Sequence, residues 1–263
     1  MTVRLDVELV RRGLVRSRAE AVRAIAEGRV RISGTPASKP SRPVREDDEL
    51  VVTSPEPWVA RSAHKLVAAL ERFGVDPTGR LCLDIGASTG GFTQVLLSRG
   101  AREVIALDVG HGQLVPELRG DPRVRVVEGV NARELDAASL VALTGVTEPP
   151  TLVVVDVSFI PLALVLPAVA RVLATDGVVI ALIKPQFEVG RTSVRDGLVR
   201  ERSLRIDAVR RVLHAAAPLG LGTAGVGPSP IEGGAGNREY LCLLHAGASE
   251  DPTEWESRLE ALD

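Results

Sequence analysis

The chain has 263 residues, 45% of them apolar but only 3% aromatic, so a large core is available and must be built from Val, Leu, Ile and Ala. Two cysteines in the whole chain exclude a disulfide framework and a four-ligand zinc site, and no metal centre is expected. The net charge of −2 conceals an asymmetry, because residues 1–45 hold eleven Lys/Arg against four Asp/Glu while the remainder is acidic. A small basic block ahead of a larger acidic one points to a polyanion partner for the front of the chain. No apolar run reaches the length of a bilayer span; the best candidate, Leu162 to Ala174, is interrupted by Pro167 and Arg171. The opening MTVRLDVELVRR carries charges where a secretory leader needs an apolar stretch, so a cytoplasmic location is expected.

In chain order, Leu5, Leu9 and Val10 recur at helical spacing. Ser17-Arg18-Ala19-Glu20 predicts a capping box opening a second helix through Ala21, Val22 and Ile25, closed by Gly28. Val30-Arg31-Ile32 alternates like a strand and Ser33-Gly34 turns it. The runs RLD…LV, SRAEAVRAIAEGRVRISG and ASKP resemble the S4 RNA-binding module over about residues 4–52. That resemblance implies a small α+β domain that meets structured RNA through Arg4, Arg16, Arg18, Arg23, Arg29, Arg31 and Lys39. The plainer alternative is a solvated basic helix face. Residues 53–60, TSPEPWVA, read as a linker with Trp58 packed between domains. Ser62 is expected to cap a helix carrying Leu66, Val67 and Leu70 and ending at Gly74. Lys65 falls in its first turn, where the helix dipole disfavours a cation.

From Leu81 onward short apolar runs alternate with helices, the pattern of a doubly wound α/β domain. Strands are expected at Leu81–Ile85, Val104–Asp108, Val124–Val127, Leu152–Asp156, Val178–Lys184 and Tyr240–His245, with helices near Phe92–Ser98, Leu162–Ala174 and Leu198–Ala217. The Gly/Pro-rich GVGPSPIEGGAGN before the last strand reads as a long functional loop. From Ser249 the tail holds six acids and one Arg, and is expected to be a peripheral helix or frayed. The domains are thus 1–52, a linker at 53–60, 61–246, and an acidic tail at 247–263.

The segment Asp84-Ile85-Gly86-Ala87-Ser88-Thr89-Gly90-Gly91-Phe92 follows the first strand and opens a helix. It lacks the Lys-Ser/Thr of a Walker loop and the spacing of a dinucleotide loop, and suits S-adenosylmethionine better than a pyrophosphate. Candidate cofactor residues are Asp84, Gly86, Ala87, Ser88, Gly90, Gly91, Phe92 and Asp156. Asp108, ending the second strand, is placed to accept ribose hydroxyls, and Asn131 to read the adenine edge. The acceptor is narrowed by elimination. The Asn/Asp-Pro-Pro-aromatic motif of base amine methylation is missing from Asp156-Val157-Ser158-Phe159. The cysteine nucleophile of pyrimidine carbon methylation is missing too, because Cys82 and Cys242 sit in apolar strands.

What remains at the strand ends is Asp156 and Lys184, with Glu239 before the last strand and Lys65 in the early helix. Of 32 cations only Lys39, Lys65 and Lys184 are lysine, so the chain keeps lysine for work that a permanently charged guanidinium cannot do. Lys65, Asp156, Lys184 and Glu239 match the Lys-Asp-Lys-Glu tetrad of the FtsJ-like RNA ribose 2′-O-methyltransferases. The flanking runs Arg61–Leu66, Asp156–Phe159, Lys184–Glu188 and Gly236–Tyr240, with the S4 module in front, resemble the TlyA (hemolysin A) family of rRNA cytidine-2′-O-methyltransferases up to about residue 246. The resemblance implies a mostly parallel seven-stranded sheet with its last strand antiparallel and S-adenosylmethionine as cofactor. It also implies cytidine methylation in 16S and, in some members, 23S rRNA, and ribosomes sensitive to capreomycin and viomycin. The partner is then rRNA in ribosomal subunits, and the membrane is not involved; a monomer or a dimer is expected, and the sequence does not fix which. Asn131 departs from the broader pattern, in which an acid meets adenine.

The tetrad also makes chemical sense unaided. A ribose 2′-hydroxyl is a poor nucleophile, so a base must take its proton, and a lysine can where an arginine cannot. Lys184 is assigned as base, Asp156 as its orienter, and Lys65 and Glu239 as groups that place the ribose. An ordinary buried ion-pair network is the plain alternative. Two other functions stay open here: a membrane-active hemolysin, and a noncatalytic rRNA-binding assembly factor.

Overall fold

A computed structural model of the chain describes residues 2–53, 57–190, 194–247 and 252–262. The chain divides into two compact units, residues 1–57 and 58–263. In the first, β1 (Thr2–Arg4) leads into α1 (Leu5–Arg11) and α2 (Arg18–Ala26), followed by β2 (Val30–Ile32), β3 (Thr35–Pro36), β4 (Pro43–Arg45) and β5 (Leu50–Val52). The strands form an antiparallel β3-β2-β5 sheet and a β1-β4 ribbon. Leu5, Leu9, Ala21, Ala24, Ile25, Val30 and Ile32 close the core between the helices and the sheet.

Ser17 caps α2 as expected, its Oγ accepting the Glu20 N–H at 3.2 Å. The reciprocal bond is displaced by one residue: the Glu20 carboxylate accepts from the Arg16 N–H at 2.8 Å. Two carboxylates that the pattern did not flag are buried on α1. Asp6 receives Arg4 and Arg18, and Glu8 receives Arg11 and Arg12.

The second unit runs α3 (Ala63–Phe73), β6 (Leu81–Ile85), α4 (Gly91–Ser98), β7 (Glu103–Asp108), α5 (Pro116–Arg119), β8 (Val124–Glu128), α6 (Ala137–Thr144), β9 (Leu152–Val155) and α7 (Leu166–Val172). It continues through β10 (Val178–Ile183), α8 (Pro185–Glu188), α9 (Arg202–Ala216), β11 (Leu221–Pro228), β12 (Tyr240–Ala246) and α10 (Glu256–Leu259). The sheet order is β11-β12-β10-β9-β6-β7-β8. β12, the last strand in the chain, is antiparallel to both its neighbours, and β6 to β10 are parallel.

Alternation sorts the central strands onto two buried faces. Leu83, Ile85, Val153, Val155, Val179 and Ala181 meet α7 and α9 on one face. Cys82, Val154, Ile180 and Leu182 meet α3 and α4 on the other. Since β6 lies between β7 and β9, the chain reverses its winding direction there, and a crevice opens beyond the carboxyl ends of these strands.

Four expectations need correction. Gly225–Pro228, read as loop, completes an eight-residue strand, β11. Gly225 and Gly227 are small because Phe73 and Arg72 press on them: a Cβ would lie 2.7 Å from Phe73 and 2.0 Å from Arg72. The helix expected over Leu162–Ala174 starts as a 3-10 turn, Leu162–Leu164, and Pro167 sits in the first turn of α7, where its missing N–H costs nothing. The helix expected from Leu198 begins at Arg202. Ser62 makes no cap; its backbone is already helical. Trp58 packs on the α3–α4 core, and the acidic tail forms α10, with Trp255 and Leu259 buried against the α7–α9 face.

Candidate active site

β6 ends in the glycine segment, and the turn there depends on glycine. Gly86 holds φ +88°, and a Cβ on it would come within 2.4 Å of the Asp156 carbonyl, so the turn can pass β9 only without a side chain. The Gly86 and Ala87 N–H groups both point to the Leu107 carbonyl, at 2.8 and 3.1 Å. Gly90, at φ +101°, precedes α4, which Gly91 and Phe92 open.

Asp108, at the end of β7, accepts the Ser88 N–H at 2.8 Å on one oxygen and the Gly110 N–H at 2.7 Å on the other. The carboxylate therefore ties the glycine loop to the next strand end and keeps its remaining lone pairs. A cavity of about 480 Å³ opens there, lined by Gly86, Ser88, Asp108, Asn131, Asp156 and Phe159 among others. A smaller one of about 210 Å³ shares Gly86, Ser88, Asp156 and Ser158 and adds Phe92 and Lys184.

Asp84 is fully buried beneath this loop. Thr93 Oγ1 donates to its Oδ2 at 2.6 Å, while Oδ1 has no hydrogen-bond partner. Burial, reinforced by the charges of Asp156 and Asp108, pushes its carboxyl up to about 7. Asn131 is exposed at the cavity edge, its Oδ1 accepting the Arg133 N–H at 3.2 Å.

The four tetrad residues come from four elements, and Asp156, Lys184 and Glu239 lie at the same end of three neighbouring strands. β10 and β12 pair Ile183 with Tyr240, so the next step outward sets Lys184 beside Glu239. Asp156 directly follows β9, whose register with β10 pairs Val155 and Ala181. Lys184 Nζ lies 2.5 Å from Asp156 Oδ1, an ion pair without hydrogen-bond directionality, and donates to Ser158 Oγ at 2.9 Å. Lys65 Nζ donates to Glu239 Oε2 at 2.6 Å, both side chains being almost wholly buried. That pairing answers the cation set against the α3 dipole: the carboxylate supplies the compensation the helix end withholds. Glu239 also explains Gly233, where a Cβ would lie 2.0 Å from its carboxylate.

Several contributors were not legible as site residues. Ser158 stands two residues after Asp156, and Phe159 next to it is 90% exposed with φ +65° and its ring 5.1 Å from Phe187. Glu188 Oε1 accepts the Leu162 N–H at 2.9 Å, and burial pushes this carboxyl up to about 7. Asn237 is buried and clamps two loops, donating to the Gly197 carbonyl at 2.7 Å and accepting the Val199 N–H at 3.2 Å. Both thiols are removed from chemistry, since burial pushes Cys82 and Cys242 up to about 12.

In the first unit, Arg16, Arg23, Arg31 and Lys39 are exposed. Arg4 and Arg18 have exposed side chains but are anchored on Asp6. Arg29 is mostly buried between Glu27 and the Thr53 carbonyl.

Comparison with known proteins follows these two units. The FtsJ-like methyltransferase family matches residues 58–246 and the S4 domain family residues 3–50. A Mycobacterium tuberculosis protein named 16S/23S rRNA (cytidine-2′-O)-methyltransferase TlyA is 50% identical over 92% of this chain and 89% of its own length. Hemolysin A of Brachyspira hyodysenteriae is 36% identical over 91% of this chain and 98% of its own. A solved structure named as a hemolysin, from Streptococcus thermophilus, superposes with a TM-score of 0.72 at 36% identity, covering 99% of this chain and 96% of that one. The hemolysin name does not correspond to a membrane-spanning helix here: among the described residues no helix is long and apolar enough to cross a bilayer. With an S4 domain in front of an FtsJ-like methyltransferase domain, and half its residues shared with a TlyA enzyme along nearly the full length, the chain belongs to the TlyA family of FtsJ-like rRNA methyltransferases.

Proposed function

We propose that the chain transfers a methyl group from S-adenosylmethionine to the ribose 2′-hydroxyl of a cytidine in 16S rRNA, and in 23S rRNA as a second substrate. The observation that carries this reading is Lys184, one of three lysines in the chain, held by Asp156 on the wall of a cavity at the ends of β6, β9 and β10.

The cavity residues fit the cofactor. Asp108 keeps lone pairs for two ribose hydroxyls. Asp84 Oδ1, buried without a donor, suits an ammonium or a water beneath the glycine loop. Asn131 spends its carbonyl on the Arg133 N–H, which leaves its amide N–H to face an acceptor on adenine, where an acid would have faced a donor. When bound, the cofactor supplies an electrophilic methyl on a sulfonium. Lys184 Nζ accepts the proton as the 2′-oxygen becomes nucleophilic. Asp156 fixes the amine and stabilises the ammonium that results. The Lys65–Glu239 pair offers a donor and an acceptor to the ribose, and Phe159 presents an exposed ring on which a displaced base can stack. The exposed cations Arg16, Arg23, Arg31 and Lys39 supply phosphate contacts from the first unit. Ribosomes carrying the mark are expected to be sensitive to capreomycin and viomycin.

The test is transfer of tritiated methyl from S-adenosylmethionine to purified ribosomal subunits, with the label identified after digestion. Label recovered as 2′-O-methylcytidine supports the reading. Label on a base, or none on either subunit, overturns it, and erythrocyte lysis by the purified protein would restore the hemolysin.

A further inference from the structure

The geometry points to Ser158 as the positioning residue that aims Lys184, and this inference rests on the reading of Lys184 as the base. A neutral amine carries two N–H bonds and one lone pair in a tetrahedral array, and only the lone pair can take a proton. Rotation about the Cε–Nζ bond lets that lone pair occupy any of three directions unless acceptors hold the two N–H bonds. Lys184 has one directional acceptor, Ser158 Oγ at 2.9 Å, while Asp156 Oδ1 at 2.5 Å holds the amine by charge alone. The charge of Asp156 draws the amine toward it without selecting a rotamer. Ser158 supplies the direction that Asp156 does not, fixing one N–H and so narrowing where the lone pair can point.

The loop carrying Ser158 is built to keep that contact. It leaves β9 at Asp156 and turns sharply at Phe159, whose φ is +65°. It is then held to the segment after Lys184 at two further points. The Phe159 ring lies 5.1 Å from Phe187, and the Leu162 N–H donates to Glu188 Oε1 at 2.9 Å. Non-glycine residues take such a φ only where the surroundings over-determine it. Ser158 itself is exposed and lines both cavities, so its hydroxyl is free of any packing duty in the core. A serine whose hydroxyl meets the lysine amine from the open side of the site is placed for orientation.

The experiment is single-turnover methyl transfer by the full chain to the ribosomal subunit that the wild type methylates, at saturating S-adenosylmethionine. Ser158→Ala removes one hydrogen bond to a charged partner, so the rate should fall about 10- to 100-fold. Cofactor affinity by calorimetry and the melting temperature should stay close to wild type. Ser158→Thr, which keeps the hydroxyl, should recover most of the rate. In a Lys184→Ala background, adding Ser158→Ala should cost no more than about 2-fold, because the two act as one unit.

A Ser158→Ala enzyme with a near-normal rate overturns the inference. So does an equal loss with and without Lys184, or a loss of cofactor affinity that matches the loss of rate, which would make Ser158 part of the cofactor wall. If the wild type methylates no ribose on either subunit, the functional reading fails and this inference fails with it. An active wild type with an equally active Ser158→Ala variant sinks this inference alone.

Discussion

The Lys65–Glu239 pair separates what the site needs for stability from what it needs for chemistry. The two charges sit 2.6 Å apart with 9% and 2% of their side chains accessible, one on α3 and the other before β12. Glu239→Ala leaves a buried ammonium with no counterion. Breaking such a pair by deleting one partner costs about 3–5 kcal/mol. For a unit of this size, at about 2–4 °C per kcal/mol, the melting temperature should drop by roughly 6–20 °C. The double variant Lys65→Met with Glu239→Gln removes both charges and keeps the volume, and should recover most of that loss. Methyl transfer should stay impaired in it, because the groups facing the ribose have gone. Scanning calorimetry beside the tritium assay reads both quantities. A single variant that melts within 2 °C of wild type refutes the reasoning, as would a double variant that regains activity together with stability.

Lys184→Arg should fold and bind S-adenosylmethionine yet lose about 10²–10⁴-fold in single-turnover rate, since a guanidinium cannot take the proton; a near-normal rate would reduce the lysine to a placement role. Asp108→Ala should weaken cofactor binding by tenfold or more in calorimetry, because it removes ribose acceptors and frees the Ser88 and Gly110 N–H groups that order the loop; unchanged affinity would take Asp108 out of the site. Two carboxyls should tilt stability with pH in opposite directions. Asp6, held at about 2 by its bond to Arg4, contributes stability that is present above the ordinary carboxylate value and is lost as pH falls toward 2. Asp84, pushed up to about 7 by burial, keeps its proton longer in the folded chain, so stability declines as pH rises from about 4 to 7. The urea midpoint of Asp84→Asn should therefore fall less over that range than the wild type's, and an unchanged slope would contradict the assignment.

The site was legible where function depends on residues at strand ends. Asp108, Asp156 and Lys184 each close or follow a short continuous apolar run, and Asp84 interrupts one, so the strands themselves announce them. The scarcity of lysine then drew Lys65 into the same group. What stayed hidden depends on contacts between distant segments. β11 looked like loop because its glycines record the pressure of Arg72 and Phe73, which no local pattern reveals. Asp6 and Glu8 look like solvent-facing acids of an amphipathic helix until four arginines fold onto them. Ser158 is one serine in a loop, and only the return of β10 beside β9 brings Lys184 to it. Asp136 and Ser139, three residues apart, form a reciprocal capping box that opens α6.

Marking of cytidine ribose in rRNA through Lys184 can be read by mapping 2′-O-methylcytidine on rRNA from cells that carry the gene, cells that lack it, and deleted cells given back either the wild-type or the Lys184→Ala protein. A methylated cytidine should disappear on deletion, return with the wild type, and not return with Lys184→Ala made at equal abundance. A methylation map unchanged by deletion, or one fully restored by Lys184→Ala, would contradict it.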